Sequence, residues 1–186
     1  MKTSSQQRIH DYHERGWWGD DTLHGLLKLQ ARENPDLLAV AAQPNRKELT
    51  GDEPCRLSYA ELNEASTQVA CQFLNRGIGA EDSVIVQLPN IAELVICYMA
   101  ISKIGAIISP VPVQYGSHEL HHISSTISPA AIVTIDHFSA LELAQNAATI
   151  AEGNVQLLVF GSDLSFTTEN HPDSAQQLSD YQLSHP

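Results

Sequence analysis

The chain has 186 residues, 42% of them hydrophobic and 17% charged, which is enough to bury about 70% of the unfolded surface in one compact domain. A formal charge of −12, with only ten Lys and Arg and those dispersed, excludes a nucleic-acid binder, because neutralising phosphates takes clustered cations. The acidic surface is a solubility feature. Three cysteines, Cys55, Cys71 and Cys97, show no Cys-x-x-Cys spacing and read as thiols in a reducing cytoplasm, with Cys71 and Cys97 as small core residues. The N-terminus is polar and lacks the apolar run of a signal peptide.

Residues 1–20 read as an N-terminal arm. Trp17 and Trp18 in it suit an amphipathic anchor packing the arm onto the domain better than an acid-binding surface. Asp21 and Thr22 open a helix through Leu23, Leu26, Leu27 and Leu29 that ends near Pro35, and Leu37 to Gln43 reads as a strand. Residues 44–54, with two prolines, Gly51 and mixed charges, read as an exposed loop.

The most informative stretch runs from Arg56 to Pro112 as strand, helix, strand, helix, strand. Ser58 and Glu61 have the spacing of a reciprocal cap. Leu62, Ser66, Val69, Ala70, Phe73 and Leu74 then recur on one helical face until Gly77 and Gly79 supply left-handed positions that end it. Val84 to Leu88 is a β-branched strand closed by Pro89 and Asn90. Ile91 to Ile104 is a mostly apolar helix ended by Gly105, and Ile107 to Pro112 is a strand cut off by its prolines. The window Ile91 to Val113 contains Glu93, Lys103 and three structure breakers, so it is a buried helix and strand, not a membrane span. Tyr98 and Met99 suit core packing better than a substrate pocket.

Ser117 starts a helix to about Thr126, Ala131 to Ile135 is a strand, Ser139 to Glu152 a helix and Val155 to Phe160 a strand. This alternation predicts an α/β fold with a mainly parallel sheet flanked by helices. Gln114, Tyr115 and Gly116 follow a strand end, where open parallel sheets bind ligands, an architectural argument that assigns them no role. From Gly161 onward the chain is polar and lacks periodicity, so residues 162–186 read as a tail or linker.

One motif points to different chemistry. His118, Glu119 and His122 fit His-Glu-x-x-His, in which two histidines one turn apart hold zinc and the glutamate activates its water. Glu142 lies at an allowable distance for a third ligand, but Pro129 and the strand from Ala131 interrupt the helix needed to present it. A solvated first turn, with Glu119 at the positive helix end, accounts for the same residues without metal. A zinc metalloprotease is therefore a remote alternative.

Leu57 to Leu62, then Gly77-Ile78, then Asp82 to Asn90, then Ala100 to Pro112, continued by Glu119-Leu120 and Ala131 to Ile135, resemble in their order the N-terminal part of the adenylate-forming enzymes. That superfamily comprises acyl- and aryl-CoA synthetases, peptide-synthetase adenylation domains and luciferase. Tyr12 to Trp18, Thr22-Leu23 and Asn34-Pro35-Asp36 look like the openings of ligases for aryl or alicyclic acids. The resemblance implies a parent enzyme using ATP, Mg and CoA. A carboxylate attacks the α-phosphorus of Mg-ATP to give an acyl-adenylate and pyrophosphate, and a thiol, most often coenzyme A, then displaces AMP.

The family's phosphate loop, rich in Ser, Thr and Gly and ending in Pro-Lys-Gly, is missing. None of the ten glycines begins a Gly-Lys pair, and the last lysine is Lys103. Residues 21–161 therefore read as a partial N-terminal domain and 162–186 as the lead into that loop. No catalytic, cofactor-binding or metal residue carries over, and the 186 residues by themselves are expected to be inactive and to bind none of the parent's cofactors. The alternative is a free-standing, non-catalytic binding or regulatory module, with a sheet edge open to self-association.

Overall fold

The computed structural model describes residues 4–161, 166, 181 and 182. The polar tail therefore lies almost wholly outside the described residues. Within the N-terminal arm, Gln6–Glu14 forms helix α1, capped by Ser5. Helix α2, Leu23–Glu33, starts where the sequence predicts, with Thr22 Oγ1 accepting from the Gly25 amide.

Strand β1 (Leu38–Ala41) pairs antiparallel with β2 (Arg56–Ser58) and forms a small sheet of its own, outside the parallel one. Between them the expected exposed loop is instead helix α3, Arg46–Thr50, with Arg46 and Thr50 buried. A buried charge forces this departure, as described below.

Helix α4, Tyr59–Leu74, has the cap its sequence promises. Glu61 N donates to Ser58 Oγ at 3.3 Å, and Ser58 N to Glu61 Oε2 at 2.8 Å. Gly77 ends the turn at φ 76°, but Gly79 is not left-handed. Its lack of a side chain serves a close approach, since a Cβ there would lie 2.6 Å from the Tyr181 hydroxyl.

Strand β3 (Ser83–Gln87), α5 (Ala92–Lys103), β4 (Ile107–Pro110), α6 (Ser117–Ile127) and β5 (Ala131–Thr134) follow as expected. Helix α7 is shorter than its pattern, Leu143–Ala148. Phe138 and Leu141 pair across a tight turn with Ser139 at φ 55°, and that turn uses up the residues predicted to begin the helix. Strand β6, Gln156–Val159, closes the sheet.

The four strands are all parallel, in the order β4-β3-β5-β6. Side chains alternate across it with the period of a strand. Val84, Val86, Ala131 and Val133 face a core built with α4, α5 and Leu27 of α2. Ile85 and Ile132 face the second core, with Leu120 of α6 and Ala147 of α7. Cys71 and Cys97 are buried, and burial pushes the Cys97 thiol well above its usual range. Among the described residues no helix is long and apolar enough to cross a membrane.

Candidate functional site

Connections from β3 run to β4 on one side, and the chain then crosses back to β5 on the other. The carboxyl ends of β3 and β5 thus flank a topological switch point, where the loops diverge and leave a crevice. Gln87 ends β3 there and is fully buried. Its Nε2 donates to Tyr115 O at 2.8 Å and to Pro112 O at 3.2 Å, drawing the loop between β4 and α6 over the strand end. Its Oε1 is buried without a partner. Reversing the amide would set that oxygen against two carbonyls, so the orphan acceptor follows from the geometry. Across the crevice, Thr134 Oγ1 donates to Gln87 O at 3.1 Å and ties the ends of β3 and β5 together.

Arg46 and Glu93 form the second feature of this end of the sheet. Glu93 sits in the first turn of α5, just beyond β3, and both side chains are about 2% exposed or less. Arg46 Nη1 donates to Glu93 Oε2 at 2.9 Å and Nη2 to Glu93 Oε1, a bidentate pair, with Asp52 Oδ2 at 3.3 Å from Nη2. The hydrogen bonds to Glu93 hold the guanidinium above its ordinary pKa. Sequence reasoning missed this pair. The available signal was Glu93 itself, since a carboxylate inside an apolar helix needs a partner brought from elsewhere. Helix α3 exists because that partner is Arg46. Its Asn45 and Glu48 have cap spacing, yet Asn45 makes no side-chain cap bond.

The rim is completed by the segment after β5. Ser139 N donates to Leu49 O at 2.6 Å, and the His137 ring faces Gly51. Gln114 and Tyr115 are exposed at the opposite rim.

The zinc motif does not assemble. Glu119 accepts from Gly116 N at 3.0 Å, and hydrogen bonds from its own and the Gly116 amide lower its carboxyl pKa. His118 and His122 are exposed, and β5 separates α6 from Glu142. Among the described residues no three His, Cys, Asp or Glu side chains gather as a metal site. Trp17 and Trp18 do not anchor the arm through buried rings. Both are exposed and stack edge-on against Tyr12 of the same arm, because the α1 turn returns them to it. Tyr98 and Met99 are half-buried, Met99 against the larger core.

Among the described residues at this end of the sheet the cations are matched, Arg46 by Glu93 and Asp52 and Lys47 by Glu53, so these groups by themselves offer nucleotide phosphates no uncompensated positive charge.

Comparison with known proteins gives a family match to the AMP-binding enzymes over residues 27–184. Enterobactin synthase component E of Escherichia coli is 28% identical over 93% of this chain and 33% of its own length. The salicyl-AMP ligase / salicyl-S-ArCP synthetase of Mycobacterium tuberculosis is 31% identical over 73% of this chain and 23% of its own length. The apo structure of Mycobacterium smegmatis MbtA superposes with a TM-score of 0.64 at 26% identity, covering 93% of this chain and 33% of that one. The chain thus spans a third or less of the length of these relatives.

Proposed function

Because this chain belongs to the AMP-binding enzymes, we propose that it is the N-terminal portion of an ATP-dependent ligase that activates a carboxylic acid as its acyl-adenylate and passes it to the thiol of coenzyme A. The family match over residues 27–184 carries the reading. A cytoplasmic location agrees with three cysteines that lack any Cys-x-x-Cys spacing. An aromatic or alicyclic acid is the substrate class, supported by the opening segment from Tyr12 and by likeness to the salicyl-AMP ligase. Coenzyme A is supported by the medium-chain fatty-acid–CoA ligase of Escherichia coli, 30% identical over 63% of this chain.

The role of these 186 residues is scaffolding. Gln87 and Thr134 lock the ends of β3 and β5 together, and the Arg46–Glu93 pair fixes the start of α5 beside them. The electrostatic work on a transferring phosphoryl group needs cations and a glycine-rich loop from elsewhere in the protein. The resulting expectation is that this chain alone catalyses no ATP–pyrophosphate exchange, whereas the full translation product of its coding region does, with benzoate- or cyclohexanecarboxylate-type acids. Exchange by the 186 residues above a heat-killed control would refute the division of labour. Absence of exchange by the full product with every acid class would refute the ligase.

A further inference from the structure

The large apolar side chains left exposed are concentrated in one stretch. Trp17, Trp18, Leu23, Leu26, Leu29, Leu37 and Leu38 belong to it, and among the described residues only Tyr115 and Leu141 lie elsewhere. Helix α2 is anchored on one side only. Leu27 is buried beneath it and His24 Nδ1 lies 3.0 Å from Ser102 Oγ at the end of α5, yet Leu23, Leu26 and Leu29 are between 37% and 49% exposed. Beside this stripe, between α2 and α4, is a concave cleft of about 530 Å³ lined by Gly25, Lys28, Leu29, Ala31, Arg32 and Asn63.

The charge of that cleft opposes the charge of the chain. Lys28 and Arg32 stand one turn apart on the same flank of α2. Lys103, 7% exposed, donates to Asn63 Oδ1, Asn63 O and Thr67 Oγ1, and these three acceptors include no carboxylate. Burial lowers both His24 and Lys103, and Lys28 repels both. The one acid within α2, Glu33, meets Arg32 at 3.2 Å with both side chains well exposed, a contact that a partner carboxylate can replace at little cost. A local concentration of cations on a chain of −12, with exposed leucines beside it, is an interaction surface with a stated polarity.

We propose that the α2–α4 cleft docks an acidic amphipathic helix of another protein, its apolar face on Leu26 and Leu29 and its carboxylates on Lys28 and Arg32. A second copy of this chain fits less well. A two-fold contact through α2 would set Lys28 and Arg32 against the same residues of the other copy, and like charges repel. A membrane fits less well too, since an anionic bilayer is flat where the cleft is concave and repels a chain of this net charge.

The test titrates a helical peptide of about sixteen residues, leucine on one face and glutamate on the other, into the isotope-labelled chain and follows amide shifts and the His24 ring. A leucine–lysine peptide of the same spacing is the control. Shifts confined to residues 23–32 and 63–67 are expected, with a rise in the His24 pKa as carboxylates arrive. The Lys28→Glu/Arg32→Glu variant, altered only at exposed positions, should weaken the acidic peptide by roughly tenfold and bind the basic one instead. Equal affinity for both peptides, shifts elsewhere, dimerisation through α2, or preference for anionic vesicles would each overturn the proposal. The titration is repeated on the full translation product, where a cleft already covered by that polypeptide, seen as absent shifts at Leu26 and Leu29, would overturn it as well. None of these outcomes bears on pyrophosphate exchange, so this inference and the ligase reading fail separately.

Discussion

Replacing Arg46 by methionine keeps the aliphatic length of the side chain and removes its charge, leaving the Glu93 carboxylate, 1% exposed, without a cation. Breaking a buried ion pair in this way costs about 3–5 kcal/mol. Asp52 also loses its 3.3 Å contact, but its side chain is 33% exposed and rehydrates, so it adds little. At about 2–4 °C per kcal/mol for a chain of this size, the melting temperature should fall by about 10 °C. Glu93→Gln should cost less, about 2 kcal/mol, because Arg46 keeps Asp52 and an amide oxygen. The double variant Arg46→Met/Glu93→Met carries no buried charge and should be no less stable than Arg46→Met. Urea midpoints of wild type and the three variants measure all of this. Single variants that each cost under about 1 kcal/mol, or a double variant less stable than Arg46→Met, would refute the reasoning.

Burial, reinforced by Lys28, lowers Lys103 to about 8, so between about pH 8 and 10.4 the unfolded chain binds a proton that the folded chain has released, and this group makes stability rise with pH. The raised thiols of Cys55 and Cys97 act in the opposite sense, so the readout is wild type minus Lys103→Met, which should move in favour of wild type by on the order of 3 kcal/mol across that window; parallel pH curves would remove the assignment. Gln87→Leu should cost about 1–3 kcal/mol and speed amide exchange in the loop after β4, because Pro112 O and Tyr115 O lose their donor. Gln87→Glu should be worse at neutral pH and recover in acid, and equal stability of Gln87→Glu and wild type at pH 8 would contradict the clamp. Ser58→Ala should cost about 1 kcal/mol through the first turn of α4, visible as a lower urea midpoint with an unchanged slope.

The course of the chain from Arg56 to Ile135 is legible in the residues because its signals act over four positions or fewer. The Ser58–Glu61 cap, the turn at Gly77, the stop at Gly105 and the prolines after Ile108 each satisfy or block backbone groups of their own neighbours. Hydrophobic period supplies the rest, and it predicts which face of α4 is buried. The family likeness is legible for the same reason, being an order of such local elements.

What tertiary structure alone decided are the relations between residues far apart in the chain. Arg46 and Glu93 are 47 positions apart, and the penalty for burying Glu93 turns an apparent loop into α3. Gln87 reaches a loop 28 positions away, so its role depends on β4 lying beside β3. Gly79 is small because Tyr181, 102 positions further on, rests against it. Strand order sets the switch point between β3 and β5, and a period-two pattern says only that a strand has two faces, not which strand lies beside it. Local chemistry of the chain thus determined the elements. Desolvation of charges and close packing, which depend on every element at once, determined how they meet.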